Sequence, residues 1–225
     1  MKLADIESIE KQLDKKNKKK NYDLRNKILE DVLNIINKDI NIEKIYDNYE
    51  KTDVNSIGLL SLKPKLFVCN VDEKSILNGN KYTKEFINKF SEKNTIIISA
   101  EIENQINQLD NSEKKNYMEV LGIKNTGLNN LVKKGYELLN LETFFTTGSE
   151  ESRAWTIKKN SLAPQAAGEI HTDFEKGFIK AETISFEDFI ACSSWLDARG
   201  KGKIRLEGKE YIVKDGDILN FRFNT

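Results

Sequence analysis

Apolar residues recur at steps of three and four near the start of the chain: Leu3, Ile6, Ile9 and Leu13, then Leu24, Ile28, Val32 and Ile35. Each series predicts an amphipathic helix with a narrow apolar stripe. Gly58 is the only glycine or proline in the first sixty residues. The two helices flank the polar stretch Lys15–Asn21, so residues 1–60 read as a helical hairpin close to a short antiparallel coiled coil. Asp53–Leu60 reads as a short helix, and Pro64 opens an extended approach, because the residue before a proline avoids helix.

The pattern then changes period. Leu66-Phe-Val-Cys69 is a continuous apolar run that stops at Asn70-Val-Asp-Glu73. Such a run predicts a buried strand of a parallel sheet, with the polar cluster on the loop at its carboxyl end. Thr95–Ser99 predicts a second strand, ending in Ser99-Ala-Glu101. Helices are expected at Thr83–Phe90, near Glu113–Leu121 and at Leu128–Leu139, with Gly122 and Gly127 between the last two. Two parallel strands do not make an independent core, so residues 61–139 read as part of a larger α/β domain.

From residue 140 strands dominate. Phe144–Thr147 and Ala154–Ile157 pair around Gly148, and Ala163-Pro-Gln-Ala-Ala167 starts a helix with proline in its first turn. Phe178–Thr183, Arg205-Leu206, Glu210–Val213 and Ile218–Phe223 read as further strands. Glu207-Gly-Lys209 and Lys214-Asp-Gly-Asp217 supply the turns between them. Residues 140–225 are therefore expected to be a small sheet grasping one helix, about the size of ubiquitin.

Composition narrows the classes. Charged residues make up 32% and hydrophobic ones 38% of 225 residues, which suits modest cores rather than one thick one. Lys+Arg and Asp+Glu are both 36, so no global field attracts a polyanion and nucleic-acid contact requires local patches. Two cysteines, Cys69 and Cys192, make no disulfide framework and fit a reducing, cytoplasmic setting. No membrane association is expected, since no apolar run approaches a membrane span. Residues 1–20 lack the apolar stretch of a signal peptide.

Several long runs carry a resemblance. Arg153-Ala-Trp-Thr-Ile157, Ala163-Pro-Gln-Ala-Ala-Gly168, Ile170-His-Thr-Asp-Phe-Glu-Lys-Gly-Phe-Ile179 and Tyr211-Ile-Val-Lys-Asp-Gly-Asp-Ile218 resemble the YchF (EngD) subfamily of Obg-like P-loop NTPases. Gly135-Tyr-Glu-Leu-Leu-Asn-Leu141 resembles it too, and so does the order of parts. The resemblance implies a helical coiled-coil insert (1–60), the C-terminal part of a nucleotide-binding domain (61–139) and a β-grasp TGS domain (140–225). It implies an ATP-binding and ATP-hydrolysing factor associated with ribosomes or RNA, with GTP the weaker nucleotide and Mg²⁺ as cofactor. The phosphate-binding Gly-x-x-x-x-Gly-Lys-Ser/Thr of such proteins is missing. Each Gly-Lys here, at Gly200, Gly202 and Gly208, is followed by another residue type, and the only prolines are Pro64 and Pro164. The expectation is a chain without the phosphate half of its site, inactive alone, with a separate N-terminal P-loop fragment as a possible partner. The alternative is a non-catalytic RNA- or ribosome-binding module.

The resemblance also implies a base site at Asn70, Val71, Glu73, Ser99 and Ala100. GTPases use Asn-Lys-x-Asp there, whose carboxylate accepts two hydrogen bonds from guanine. Glu73 is one methylene longer, and Val71 replaces the lysine whose stem covers the base; both departures imply adenine preference. Read without the resemblance, Asn70 and Glu73 are loop caps. Two lysine-rich clusters are candidates for contacting RNA: Lys15, Lys16, Lys18, Lys19 and Lys20 in the first segment, and Lys201, Lys203, Arg205 and Lys209 in the last. Each is equally readable as a solvated face. His171, the single histidine, reads as a residue at a helix end, and Trp155 as sheet packing.

Overall fold

The computed structural model describes residues 1–16, 24–90, 92, 94–148, 151–192 and 194–224, excluding the side chains of residues 15 and 16. The chain is a mixed α/β protein that forms two compact units, Met1–Lys65 and Leu66–Thr225.

In the first unit α1 (Lys2–Lys16) and α2 (Leu24–Asn37) pack together, followed by a 3₁₀ turn at Ile42–Asp47 and α3 (Lys51–Asn55). Ile9, Ile28, Leu29, Val32, Ile45 and Val54 are buried in one cluster. The apolar surface of α2 is wider than the expected stripe. Leu29 and Ile36 are buried, while Leu24 and Leu3, both expected at the seam, are exposed. The cause is that α2 contacts two neighbours, α1 and the 42–55 segment, and so buries more than one narrow face. The segment leaving this unit is fastened by a buried carboxylate. Asp5 accepts hydrogen bonds from the main-chain N–H groups of Leu60 and Ser61, each 2.8 Å long.

The second unit begins with β1 (Phe67–Asn70), then α4 (Lys81–Phe90), β2 (Thr95–Ile98), α5 (Ala100–Gln108), α6 (Asn111–Val120) and α7 (Gly127–Leu139). β1 and β2 pair in parallel with Phe67 opposite Thr95 and Asn70 opposite Ile98, a two-stranded sheet among the described residues. Phe86 and Phe90 of α4 stack around Phe67 of β1. α7 packs against β2, and Gly127 permits its close approach, since a Cβ there would lie 2.7 Å from Cγ2 of Ile98. Val68, in the middle of β1, stays 44% exposed.

Asn140 ends α7 in the left-handed conformation (φ 52°), which asparagine tolerates, and turns the chain into β3 (Leu141–Thr147). There follow β4 (Ser152–Lys158), α8 (Ala163–Ile170), α9 (Thr172–Lys176), β5 (Phe178–Ser185), α10 (Phe186–Ile190), α11 (Trp195–Gly200), β6 (Arg205–Glu207) and β7 (Asp217–Phe223). The sheet order is β4-β3-β7-β5-β6, with β3 and β7 parallel and the other pairs antiparallel. α8 lays Ala163, Ala166 and Ala167 against Phe144, Ile157 and Leu219 on one face. Small residues let the helix sit close to the sheet.

Two expectations for this region need correction. Glu210–Val213 is not a strand; only Ile212 forms a single bridge, to Leu162. The main chain there is instead consumed by the loop before α8, with Ala163 N–H bonded to Tyr211 O and Val213 N–H to Ser161 O. The sheet also carries more than one helix, because α10 and α11 bury Ile184 and Ile218 on its other face beside Phe189 and Trp195. A hydrophobic inner face on both sides of the sheet requires a second cover.

Candidate functional site

β1 and β2 are in register, so their carboxyl ends lie side by side. The ladder runs one bond past β1: Val71 N–H donates to Ile98 O at 2.8 Å, and Val71 is buried. Asp72 then caps the 3₁₀ turn Glu73–Ser75 by accepting from Ser75 N–H at 3.0 Å. Glu73 is therefore the first residue of that turn, exposed, and its carboxylate has no side-chain partner among the described residues. The cap is Asp72; Glu73 is free of that task.

On the neighbouring strand, Ser99 is the N-cap of α5 and fully buried. Its hydroxyl accepts from Ile102 N–H at 3.5 Å and its carbonyl from Glu103 N–H at 2.9 Å. Ala100, the first helical residue, is exposed. The two strand ends are joined by one side chain: Asn70 Oδ1 accepts from Ala100 N–H at 2.9 Å. Asn70, Ser99 and Ala100 thus lie together at the two strand ends, Ser99 and Val71 are buried, and Glu73 follows on the turn after β1.

α5 was not apparent in the sequence reading. Its signals are a cap, Ser99, followed by Ile102 and Ile106 four residues apart, both buried. Glu103 was also missed. Its carboxylate accepts from Gly127 N–H at 2.5 Å and Leu128 N–H at 3.3 Å, so it neutralises the exposed donors at the start of α7 and fixes that helix to α5.

The lysine-rich clusters fare differently. Lys18, Lys19 and Lys20 lie outside the described residues, and Lys15 and Lys16 are the last residues of α1. In the C-terminal cluster most cations face acids. Lys201 is 2.7 Å from Asp197, Lys203 2.9 Å from Asp188, and Arg205 3.2 Å from Glu207 and 3.6 Å from Asp217. The hydrogen bond from Lys203, helped by one from Ser185, holds the Asp188 carboxyl below its ordinary range. Lys209 has no ion pair among the described residues. The positive field of this cluster is largely offset locally. His171 caps α9, its Nδ1 accepting from Asp173 N–H at 3.2 Å, and Trp155 donates to Thr146 Oγ1 at 2.9 Å while Arg153 lies over its ring.

For a nucleotide with Mg²⁺, the chain's residues fit only one part. At the strand ends the Ala100 N–H is held by Asn70 Oδ1, which leaves the exposed Asn70 side-chain amide as the group open to a base. The sequence holds no Gly-Lys-Ser/Thr, and no group of three or more His, Cys, Asp or Glu among the described residues is arranged to hold a metal. Phosphates and metal do not fit the residues present, and no chemical step is assigned to this chain.

Residues 141–224 match the YchF-GTPase_C family model, described as "Protein of unknown function (DUF933)". Over 233 aligned residues the chain is 40% identical to a Bacillus subtilis (strain 168) protein named "Ribosome-binding ATPase YchF", covering 99% of the chain and 64% of the relative. The chain belongs to the YchF family and matches its C-terminal part. A YchF protein from Escherichia coli O157:H7 with the same printed name is 47% identical over 178 residues, 78% of the chain and 49% of the relative. The chain also superposes on the "Structure of the Schizosaccharomyces pombe YchF GTPase" with a TM-score of 0.76 and 31% identity, covering 98% of the chain and 63% of that structure. The chain thus spans between half and about two thirds of the length of these YchF proteins. Their printed names differ on the nucleotide, ATPase for the curated relatives and GTPase for the solved structure.

Proposed function

We propose that this chain carries the base-binding part of a YchF-type nucleotide site, taking ATP in preference to GTP, and works with a P-loop-bearing segment that supplies the contacts to phosphate and Mg²⁺. The observation that carries the reading is the Asn70–Ala100 hydrogen bond, which joins the ends of two parallel strands where α/β domains receive ligands. The unpaired edge of β1 and exposed Val68 support a further strand beside it. In this reading residues 61–139 are the C-terminal part of the nucleotide domain, 1–60 a coiled-coil-like helical insert and 140–225 a TGS-type β-grasp domain. In this reading the helical insert and the C-terminal domain contact the ribosome, which the names of the curated relatives mention, or RNA. The setting in this reading is cytoplasmic, in keeping with the ribosome-binding names of the curated relatives.

The test supplies the portion of the Bacillus subtilis relative that lies outside the match as a separate polypeptide. Calorimetry should detect ATP binding by the mixture and none by either piece, and the mixture should co-sediment with ribosomes. A stable complex that binds no nucleotide would overturn the reading. Ribosome binding by the chain alone, with no nucleotide bound in the mixture, would favour the non-catalytic binding module.

A further inference from the structure

The five-stranded sheet has two edges, and they differ in kind. β6 is three residues long, whereas β4 runs seven residues, Ser152–Lys158, in unbroken register with β3 and without proline. Proteins blunt an edge strand by brevity, proline or a bulge, because its unpaired main-chain groups invite another strand. β4 has none of these.

The ladder with β3 fixes which groups face outward. Gly148 N–H bonds to Glu151 O and Lys159 N–H to Asn140 O, at the two ends of the β3–β4 register. These are directly opposed, hydrogen-bonded pairs, which alternate along an antiparallel ladder. Arg153, Trp155 and Ile157 therefore bond to β3, and Ser152, Ala154, Thr156 and Lys158 turn their N–H and C=O groups to the open edge. Of these outward groups only Lys158 O has another partner among the described residues, Ser161.

The side chains point to one occupant. β4 follows an acid, Glu151, ends in Lys158-Lys159 and has Trp155 at its centre. An antiparallel copy laid along the full strand sets each Glu151 opposite Lys159 of the other copy. Lys159 lies 3.5 Å from Glu142 of its own chain, yet its side chain is 59% exposed and open to a second carboxylate. Ala154 then faces Thr156 of the other copy, and the two Trp155 residues meet at the two-fold axis as a non-hydrogen-bonded pair, where side chains approach most closely.

We infer that β4 is a self-association edge: two copies of the chain pair through it, antiparallel about Trp155, and join their sheets into one. Ala154 and Thr156 exchange four main-chain bonds across the axis, and each Lys158 N–H adds one to Ser152 O of the other copy. A contact that uses the same patch on both copies closes at a dimer. β4 belongs to the C-terminal sheet, so the inference stands apart from the nucleotide site.

Sedimentation of the full chain over a concentration series should show a monomer–dimer equilibrium and nothing larger. Ala154→Pro removes an outward N–H, a position where an edge strand accepts proline. Its circular dichroism should be unchanged while dimerisation weakens about 10- to 100-fold, the value of two lost bonds. Glu151→Lys should weaken dimerisation about 2- to 30-fold by placing like charges opposite each other, and adding Lys159→Glu should restore it. With Cys69 and Cys192 replaced by serine, Ala154→Cys chains mixed with Thr156→Cys chains should form the mixed disulfide in excess over either chain alone, since hydrogen-bonded pairs bring Cα atoms to about 5.5 Å.

The inference falls if the chain is monomeric at every concentration, or if the double charge reversal fails to restore what Glu151→Lys loses. A dimer indifferent to Ala154→Pro would place association elsewhere, such as the open edge of β1, and overturn it too. So would a monomer whose β4 amides gain protection from exchange only when ribosomes are added, which would assign the edge to a different partner.

Discussion

Asp5 offers the sharpest test of how the first unit is held. It is 2% exposed and its two carboxylate oxygens each take one main-chain N–H, from Leu60 and Ser61, 55 and 56 residues away. Asp5→Ala removes both bonds and leaves both donors without a partner. A hydrogen bond to a charged group contributes about 1.5–3 kcal/mol. Ser61 is 7% exposed, so its N–H is cut off from water and the upper part of that range applies. Leu60 is 43% exposed, so water replaces the carboxylate there and the lower part applies. The sum is about 3–5 kcal/mol. A unit of 65 residues has roughly 3–10 kcal/mol of stability in total, so the substitution should remove much or all of it. Asp5→Asn retains one acceptor but points an NH₂ at the second donor, and should fall close to the alanine variant. Native-state hydrogen exchange on the full chain reads the effect. Amides of Ile9, Leu29 and Val32 should lose protection by about 3 kcal/mol or more, and those of Phe144 and Leu219 should not change. A loss below about 1 kcal/mol would show that the two bonds are exchanged for water without penalty, and the reasoning would be wrong.

Further outcomes are expected. Purified chain, free of contaminating ATPase, should hydrolyse neither ATP nor GTP, since phosphoryl transfer relies on positioning and on charges at the phosphates that this sequence lacks; measurable turnover refutes this. The Tyr49 hydroxyl donates to Asp31 at 2.5 Å, and that bond pushes its pKa from 10.0 up to about 12. Its contribution to stability is complete below pH 10 and fades as pH rises through about 12. Spectrophotometric titration of Tyr49→Phe should therefore lack a late-ionising component that the parent shows, and identical curves would count against the bond. Amides of β1 and β2 should exchange faster than those of β3, β5 and β7, because two strands with an open edge hold fewer protected bonds than a five-stranded sheet covered on both faces. Equal protection would contradict the picture of an incomplete sheet.

What the sequence by itself determined was the positions where elements begin and end. The apolar run Leu66–Cys69 marked a strand that ends at Asn70, although that strand is not buried as expected, with Val68 44% exposed, and the run from Thr95 marked a second strand ending before Ser99. Asn70 and Ser99 were therefore each placed at a strand end from the local pattern, and the pairing of β1 with β2 made those ends neighbours. Pro164 likewise set the start of α8. Glu210–Val213 misled the reading because a β-branched, aromatic run predicts a strand only when a neighbour offers a ladder, and here Ser161 and Ala163 took its bonds instead. The tertiary structure decided what lay beyond local pattern. That Asn70 meets the amide of Ala100, 30 residues on, and that Asp5 meets Ser61, depends on how the elements dock. The charges of Lys201, Lys203 and Arg205 looked available in the sequence and were paired by residues that folding brought beside them. Hydrophobic period is a property of a dozen consecutive residues, whereas a hydrogen bond's partner is fixed only when packing has brought distant backbone within 3 Å, and no local signal carries that distance.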